Sequence, residues 1–222
     1  MSASTAIRAV WAASLLASAL LRTALPAAAQ APAGAARVAF VPYAAAFSLE
    51  AKQPEIVDPF VFVIAPHAPA ATGLLGIAHF PGIRNARMSD DPMQPALDAN
   101  GKPLGFDLQQ WFAASGVAEL GGDVTGRDRL TVRFAGLVPN GRYSLFIARP
   151  DSRAVLPLDG SGRANSFSAG PDGTGELTLI APAPPARGSE ILLVFHSDRT
   201  DHGPQRGEIG IYAHVQLAAP IP

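Results

Sequence analysis

From Arg37 onward, short apolar runs alternate with clusters of Gly, Pro, Asn and Asp almost to the C-terminus. Gly and Pro punctuate a chain where it must reverse, and brief apolar or β-branched runs between them suit strands rather than helices. The pattern predicts strands near Arg37–Val41, Pro59–Ile64, Leu74–His79, Leu130–Leu137, Arg142–Arg149, Ala154–Leu158, Asn165–Ser168, Glu176–Ile180, Ile191–His196 and Ile209–Leu217. Many short strands with hardly any helix imply an all-β fold. The expectation is one mostly antiparallel β-sandwich over 37–222, Ig/fibronectin-like or jelly-roll-like, with about eight to ten strands.

Face patterns sharpen this. In LTVRFAGL, Leu130, Val132 and Phe134 share one side while Thr131 and Arg133 take the other, the mark of a half-exposed strand. Asn140-Gly141 is expected to turn that strand into Arg142–Arg149 as a hairpin. Ile191 to Phe195 shows no alternation, which predicts a central strand covered on both faces. In the last strand Ile209, Ile211, Ala213, Val215 and Leu217 face one way, and Tyr212, His214 and Gln216 the other. One short helix is expected over Leu108–Ser115, with Asp107 capping its start and Gly116 as its left-handed stop. Trp111 inside it reads as a core-sealing residue, given the area an indole buries. The stretch Ala65–Gly105, around the strand at Leu74–His79, is rich in Pro, Gly, Asp and Met and long for a connection, as functional or mobile loops are.

The first 29 residues have the form of an export leader. Arg8 is followed by an uncharged apolar run of 13 residues, Ala9–Leu21, and Ala27-Ala28-Ala29 is a small-residue cleavage site. Such a run is short of the ~20 residues a spanning helix needs. Cleavage after Ala29 would leave Gln30 first, and 30–36 then reads as a flexible lead-in. Removing 29 of the 222 residues leaves 193, with net charge −3 because Arg8 and Arg22 leave with the leader. A periplasmic or secreted location follows as an expectation. Cysteine is absent, so packing alone must hold the fold, and a lipid anchor on a terminal cysteine is excluded. The small negative charge argues against nucleic acid and gives no attraction to anionic lipid.

The residues with most chemistry are His196, Asp198 and His202, in a His-x-Asp-x3-His loop leaving the predicted central strand. Imidazole and carboxylate together suit zinc or copper. The plainer alternative is that Asp198 or Asp201 caps the loop and the histidines hydrogen-bond to it. His214 is a fourth candidate ligand that strand geometry opposes. In a hairpin closed by Ser197–Glu208, His196 would face Ile209 and His214 would stand roughly 17 Å along the strand at ~3.4 Å per residue. His67 and His79 lie in the long stretch Ala65–Gly105. Nucleophile-elbow, thiol and phosphate-loop signatures are lacking. Asp98-Ala99-Asn100-Gly101 reads as a tight turn rather than a calcium loop, whose other ligands are missing.

Two local resemblances exist. His196 with Gly207-Glu208-Ile209-Gly210 is similar to the last strand pair of chordin-type domains, over about fifteen residues. Pro139-Asn140-Gly141-Arg142-Tyr143 resembles the strand-turn-strand of fibronectin- or Ig-like sandwiches. Both imply β-rich folds; neither carries a function. Three functional classes stand at this point. The first is an exported, non-catalytic binding module for an envelope or extracellular partner, without cofactor. The second is a zinc- or copper-binding protein, and the third a hydrolase whose Ser, His and Asp meet only in the fold.

Overall fold

The computed structural model describes residues 36–122, 128–150 and 154–222; the expected leader and residues 30–35 of the lead-in lie outside them. In chain order the elements are β1 (Ala36–Pro42), α1 (Tyr43–Glu50), β2 (Val57–Ile64), β3 (Ala71–Thr72), β4 (Ala78–His79), β5 (Ile83–Arg87), β6 (Pro95–Leu97) and β7 (Pro103–Asp107). They continue as α2 (Leu108–Phe112), β8 (Ser115–Gly122), β9 (Asp128–Ala135), β10 (Arg142–Ala148), β11 (Val155–Pro157) and β12 (Ser166–Ser168). β13 (Gly175–Ala181), β14 (Glu190–His196) and β15 (Ala213–Pro220) complete the chain. The fold is an all-β sandwich, as the turn spacing implies. No described helix is long and apolar enough to cross a membrane.

A nine-stranded antiparallel sheet runs β11-β10-β14-β15-β1-β8-β9-β13, with β12 also on β10. It folds over on itself because β1 serves both halves. Ala36–Phe40 pair with β8, whereas Val41 and Pro42 pair with β15. Between the halves, Leu130, Val132 and Phe134 meet Leu145, Ile147, Ile191, Leu193 and Phe195 in one core. Leu192 and Val194 point the other way, into a second core with Phe60, Phe62 and Leu97 of the four-stranded sheet β5-β2-β6-β7. β14 is thus covered on both faces, as its uniform apolar run requires. Thr131 and Arg133 lie on the outer face of β9, where Arg133 pairs with Glu119 at 2.8 Å.

Several local expectations need correction. β9 and β10 are not a hairpin: β9 pairs with β8 and β13, β10 with β11, β12 and β14. The Gly141 amide donates to Val138 O at 2.9 Å, and Asn140 has φ +56°. Pro139 and Asn140 are therefore the central pair of a type II turn, which arches between layers. The Tyr143 hydroxyl accepts from the Val138 amide at 2.9 Å, making this arch a tyrosine corner. The predicted strand at Leu74–His79 is mostly a 3-10 turn, bent by Leu75 at φ +54°, and only β4 remains. The last strand starts at Ala213, not Ile209, because the Glu208 carbonyl gathers the amides of Ile211, Tyr212 and Ala213 into a turn. A bulge at Gln216 then swings Leu217 to the face opposite Val215.

The expected helix is present as α2, with Asp107 accepting from the Gln110 amide at 2.8 Å. Gly116 does not stop it. It lies in β8, where a Cβ would come within 2.3 Å of the Phe134 ring. Trp111 is buried in the core, as its size implies. A second helix, α1, follows Pro42 without any side-chain cap. The stretch 65–105, expected as a long connection around one strand, supplies β3–β6 and the start of β7.

Candidate functional site

β14 delivers His196 to the edge of the second core, opposite Arg142 of β10 and Ala213 of β15. Its ring is fully buried, with Nε2 2.9 Å from Ser144 Oγ and Nδ1 without a hydrogen-bond partner. Burial, then the charge on His202 when protonated, pushes its pKa down to about 4, so the imidazole is neutral at pH 7. His202 returns along the loop to within 5.2 Å, ring centre to ring centre, and its Nε2 lies 3.1 Å from Asp198 Oδ2. Asp198 Oδ1 meanwhile accepts from the Thr200 amide, and Asp201 Oδ1 from the Gly203 amide. Asp201 Oδ2 takes the Ser166 hydroxyl and Arg142 Nη2, which hold its carboxyl down at about 2, the hydroxyl contributing most. The turn at Gly162 packs backbone against backbone on this loop, since a Cβ there would lie 2.3 Å from Pro204 N.

Both aspartates thus cap the loop, and the structure brings His202 to Asp198 and to the His196 ring. Among the described residues, no three His, Asp or Glu groups are arranged to hold a metal ion. His196 Nε2 faces a hydroxyl and His202 Nε2 faces its carboxylate partner, so both of these nitrogens are engaged within the protein. The expected 17 Å gap to His214 is wrong, because His196 pairs with Ala213 and Phe195 with His214. Strand alternation still sends His214 to the opposite face, where its Nδ1 lies 2.9 Å from Phe60 O. An ion in hundredfold excess over its Kd would add ~2.7 kcal/mol to stability. We expect no such rise in melting temperature with zinc or copper. A rise abolished by His202→Ala would place the ion on this loop.

Ser144–His196 is the one Ser–His hydrogen bond among the described residues, and sequence reading missed Ser144. Its hydroxyl is as buried as the imidazole, and no carboxylate meets His196 Nδ1. A nucleophile needs access and an oriented base. This pair has neither.

Beside the cluster, three hollows that share lining residues form a groove where segments 76–80, 98–107, 138–141 and 197–212 meet. The first, about 510 Å³, is walled by Leu104, Asp107, Gln110, Asn140, Ser197 and Arg199 among others. The second, about 170 Å³, shares Leu104 and Ser197 and adds Asp98, Asn100, Lys102 and Tyr212. The third, about 410 Å³, shares Asn100 and Ile211 with the second and includes Phe80. Asn100, Lys102, Asn140, Arg199 and Tyr212 line these hollows, and their side chains make no hydrogen bond or ion pair within the described residues. Tyr212 and Phe80 are 42% and 59% exposed. None of these was singled out as a binding residue from sequence; Asp98–Gly101 and Pro139–Gly141 were legible only as turns. Two further hollows lie elsewhere, one of about 910 Å³ beside α1 with Val41, Leu49, Glu50, Arg149, Glu190 and Pro220 among its walls, and one of about 370 Å³ with Ile147, Leu156 and Pro182 among its walls.

Comparison with known proteins found no matching family model, no matching curated protein and no matching solved structure. The resemblance to chordin-type domains rests on its few residues, and Ile209-Gly210 lies in the turn before β15.

Proposed function

We propose that this chain is an exported, non-catalytic β-sandwich binding module, periplasmic or secreted, whose ligand lies across the loop-end groove. The observation that carries the reading is the groove itself. It combines concavity, exposed aromatic rings and polar side chains that the fold leaves unused. Unpaired polar groups around a cleft fix a ligand's orientation, and a sandwich presents its loops at its ends for such contacts. Export is supported by the basic, apolar and small-residue parts of the leader. The partner is an envelope or extracellular component.

Two measurements test this. N-terminal sequencing of exported material is expected to begin at Gln30. Purified protein is expected to be retained on isolated cell-envelope material, and Asn140→Ala with Arg199→Ala is expected to cut retention about tenfold or more, the loss of one or two polar contacts. Equal retention of the double variant at an unchanged melting temperature would refute the groove as the binding site.

A further inference from the structure

Asp98 is 5% exposed, yet it lines the 170 Å³ hollow in the middle of the groove. Its Oδ1 does all of the structural work, accepting from the Asn100 amide at 2.9 Å and the Lys102 amide at 2.8 Å. Oδ2 has no hydrogen-bond partner and is not among the enclosed unpaired atoms, in a residue that lines the hollow and whose charge is felt by buried His214. A nearly buried carboxylate whose second oxygen has no protein donor is free to accept from a ligand in the hollow.

We infer, building on the binding role proposed above, that this hollow holds one sugar residue of a neutral glycan whose neighbouring units lie in the two flanking hollows. Asp98 Oδ2 accepts from sugar hydroxyls, and the Asn100 carboxamide both donates and accepts, as a ring of hydroxyls requires. The exposed Tyr212 ring supplies flat apolar area for the C–H face of the sugar. The Asp98 carboxylate disfavours an anionic ligand in the hollow, and with Lys102 also lining it no net negative charge selects a cation. An extended groove with a small central hollow suits a linear chain of similar units better than one compact molecule.

The test is an NMR titration of ¹⁵N-labelled protein with maltohexaose, cellohexaose and chitohexaose, alongside an acidic hexasaccharide and a soluble envelope-derived peptide mixture. At least one neutral oligomer is expected to shift amides of 98–104, 197–199 and 211–212. Asp98→Asn keeps Oδ1, and with it the turn, but turns the groove-facing acceptor into a donor. It is expected to weaken that binding about tenfold at an unchanged melting temperature. Tyr212→Ala is expected to weaken it as well. Binding of the acidic oligomer or the peptides alone, or full affinity in a folded Asp98→Asn, overturns the inference. If no oligomer binds while envelope retention still depends on Asn140 and Arg199, the sugar is wrong and the groove reading stands. Loss of both refutes both.

Discussion

Below pH 5, Asp58→Ala is expected to cost about 3–5 kcal/mol of stability, because one buried carboxyl group answers three buried donors. Its Oδ1 accepts from the Phe60 and Val61 amides at 2.8 and 3.0 Å, and its Oδ2 from Trp111 Nε1 at 2.8 Å. Those bonds replace a ladder. β2 slips register against β5 between Val57 and Phe62, so its amides there need another acceptor. Asn85 completes the repair by donating to Asp58 O at 2.9 Å. Because Trp111 sits in α2, the same carboxylate fastens the four-stranded sheet to that helix. Asp58→Asn still offers an acceptor to the two amides but sets a donor against the indole, so its cost is expected near that of one bond. Urea unfolding of both variants measures the difference, and equal costs would refute the three-bond account.

The same residue gives the fold a pH dependence of definite sign. Burial raises the Asp58 pKa from 3.8 to about 6, outweighing the bonds from Trp111, Phe60 and Val61 that lower it. The folded state thus holds its proton longer than the unfolded chain does. Stability from this group is complete below pH ~4 and is lost as pH rises through about 6, amounting to about 3 kcal/mol. Wild-type stability measured relative to Asp58→Asn is expected to fall across that window. A difference that stays flat from pH 4 to 7 would contradict it.

How far the sequence discloses such features depends on whether the cause is local. β9 and β14 are legible because their patterns record burial directly, on one face for Leu130, Val132 and Phe134 and on both for Ile191–Phe195. α1 gives no start signal, since Pro42 brings no capping side chain. β6 has three residues, and its place is set by β2 and β7 rather than by its own composition. Asn140-Gly141 fits two turns, and Pro139 in front selects the arch over the hairpin only once β10 has its partners. The loop from His196 to His202 is legible as a cluster with caps. Ser144 and the groove are not, because the Ser144–His196 bond spans 52 positions and the groove walls come from four distant segments.

That arch is the other place where one atom holds much of the fold. Tyr143→Phe is expected to cost about 2–4 kcal/mol, the loss of two buried partners. The hydroxyl accepts from Val138 N at 2.9 Å and donates to Gln216 Oε1 at 3.1 Å, while Gln216 Nε2 donates to Trp111 O at 2.8 Å. Burial raises the phenol pKa above its ordinary value, so it remains a donor across the physiological range. Phenylalanine keeps the ring contacts with Phe167 and Phe195, at 5.7 and 5.5 Å, so the change isolates the hydroxyl from the packing. The arch carries Asn140 into the groove, which gives a second readout. Hydrogen exchange at Gly141, whose amide closes the turn on Val138, is expected to quicken together with a loss of ligand affinity. Full stability with slow Gly141 exchange in Tyr143→Phe would mean that Pro139 and the two layers hold the arch without the hydroxyl.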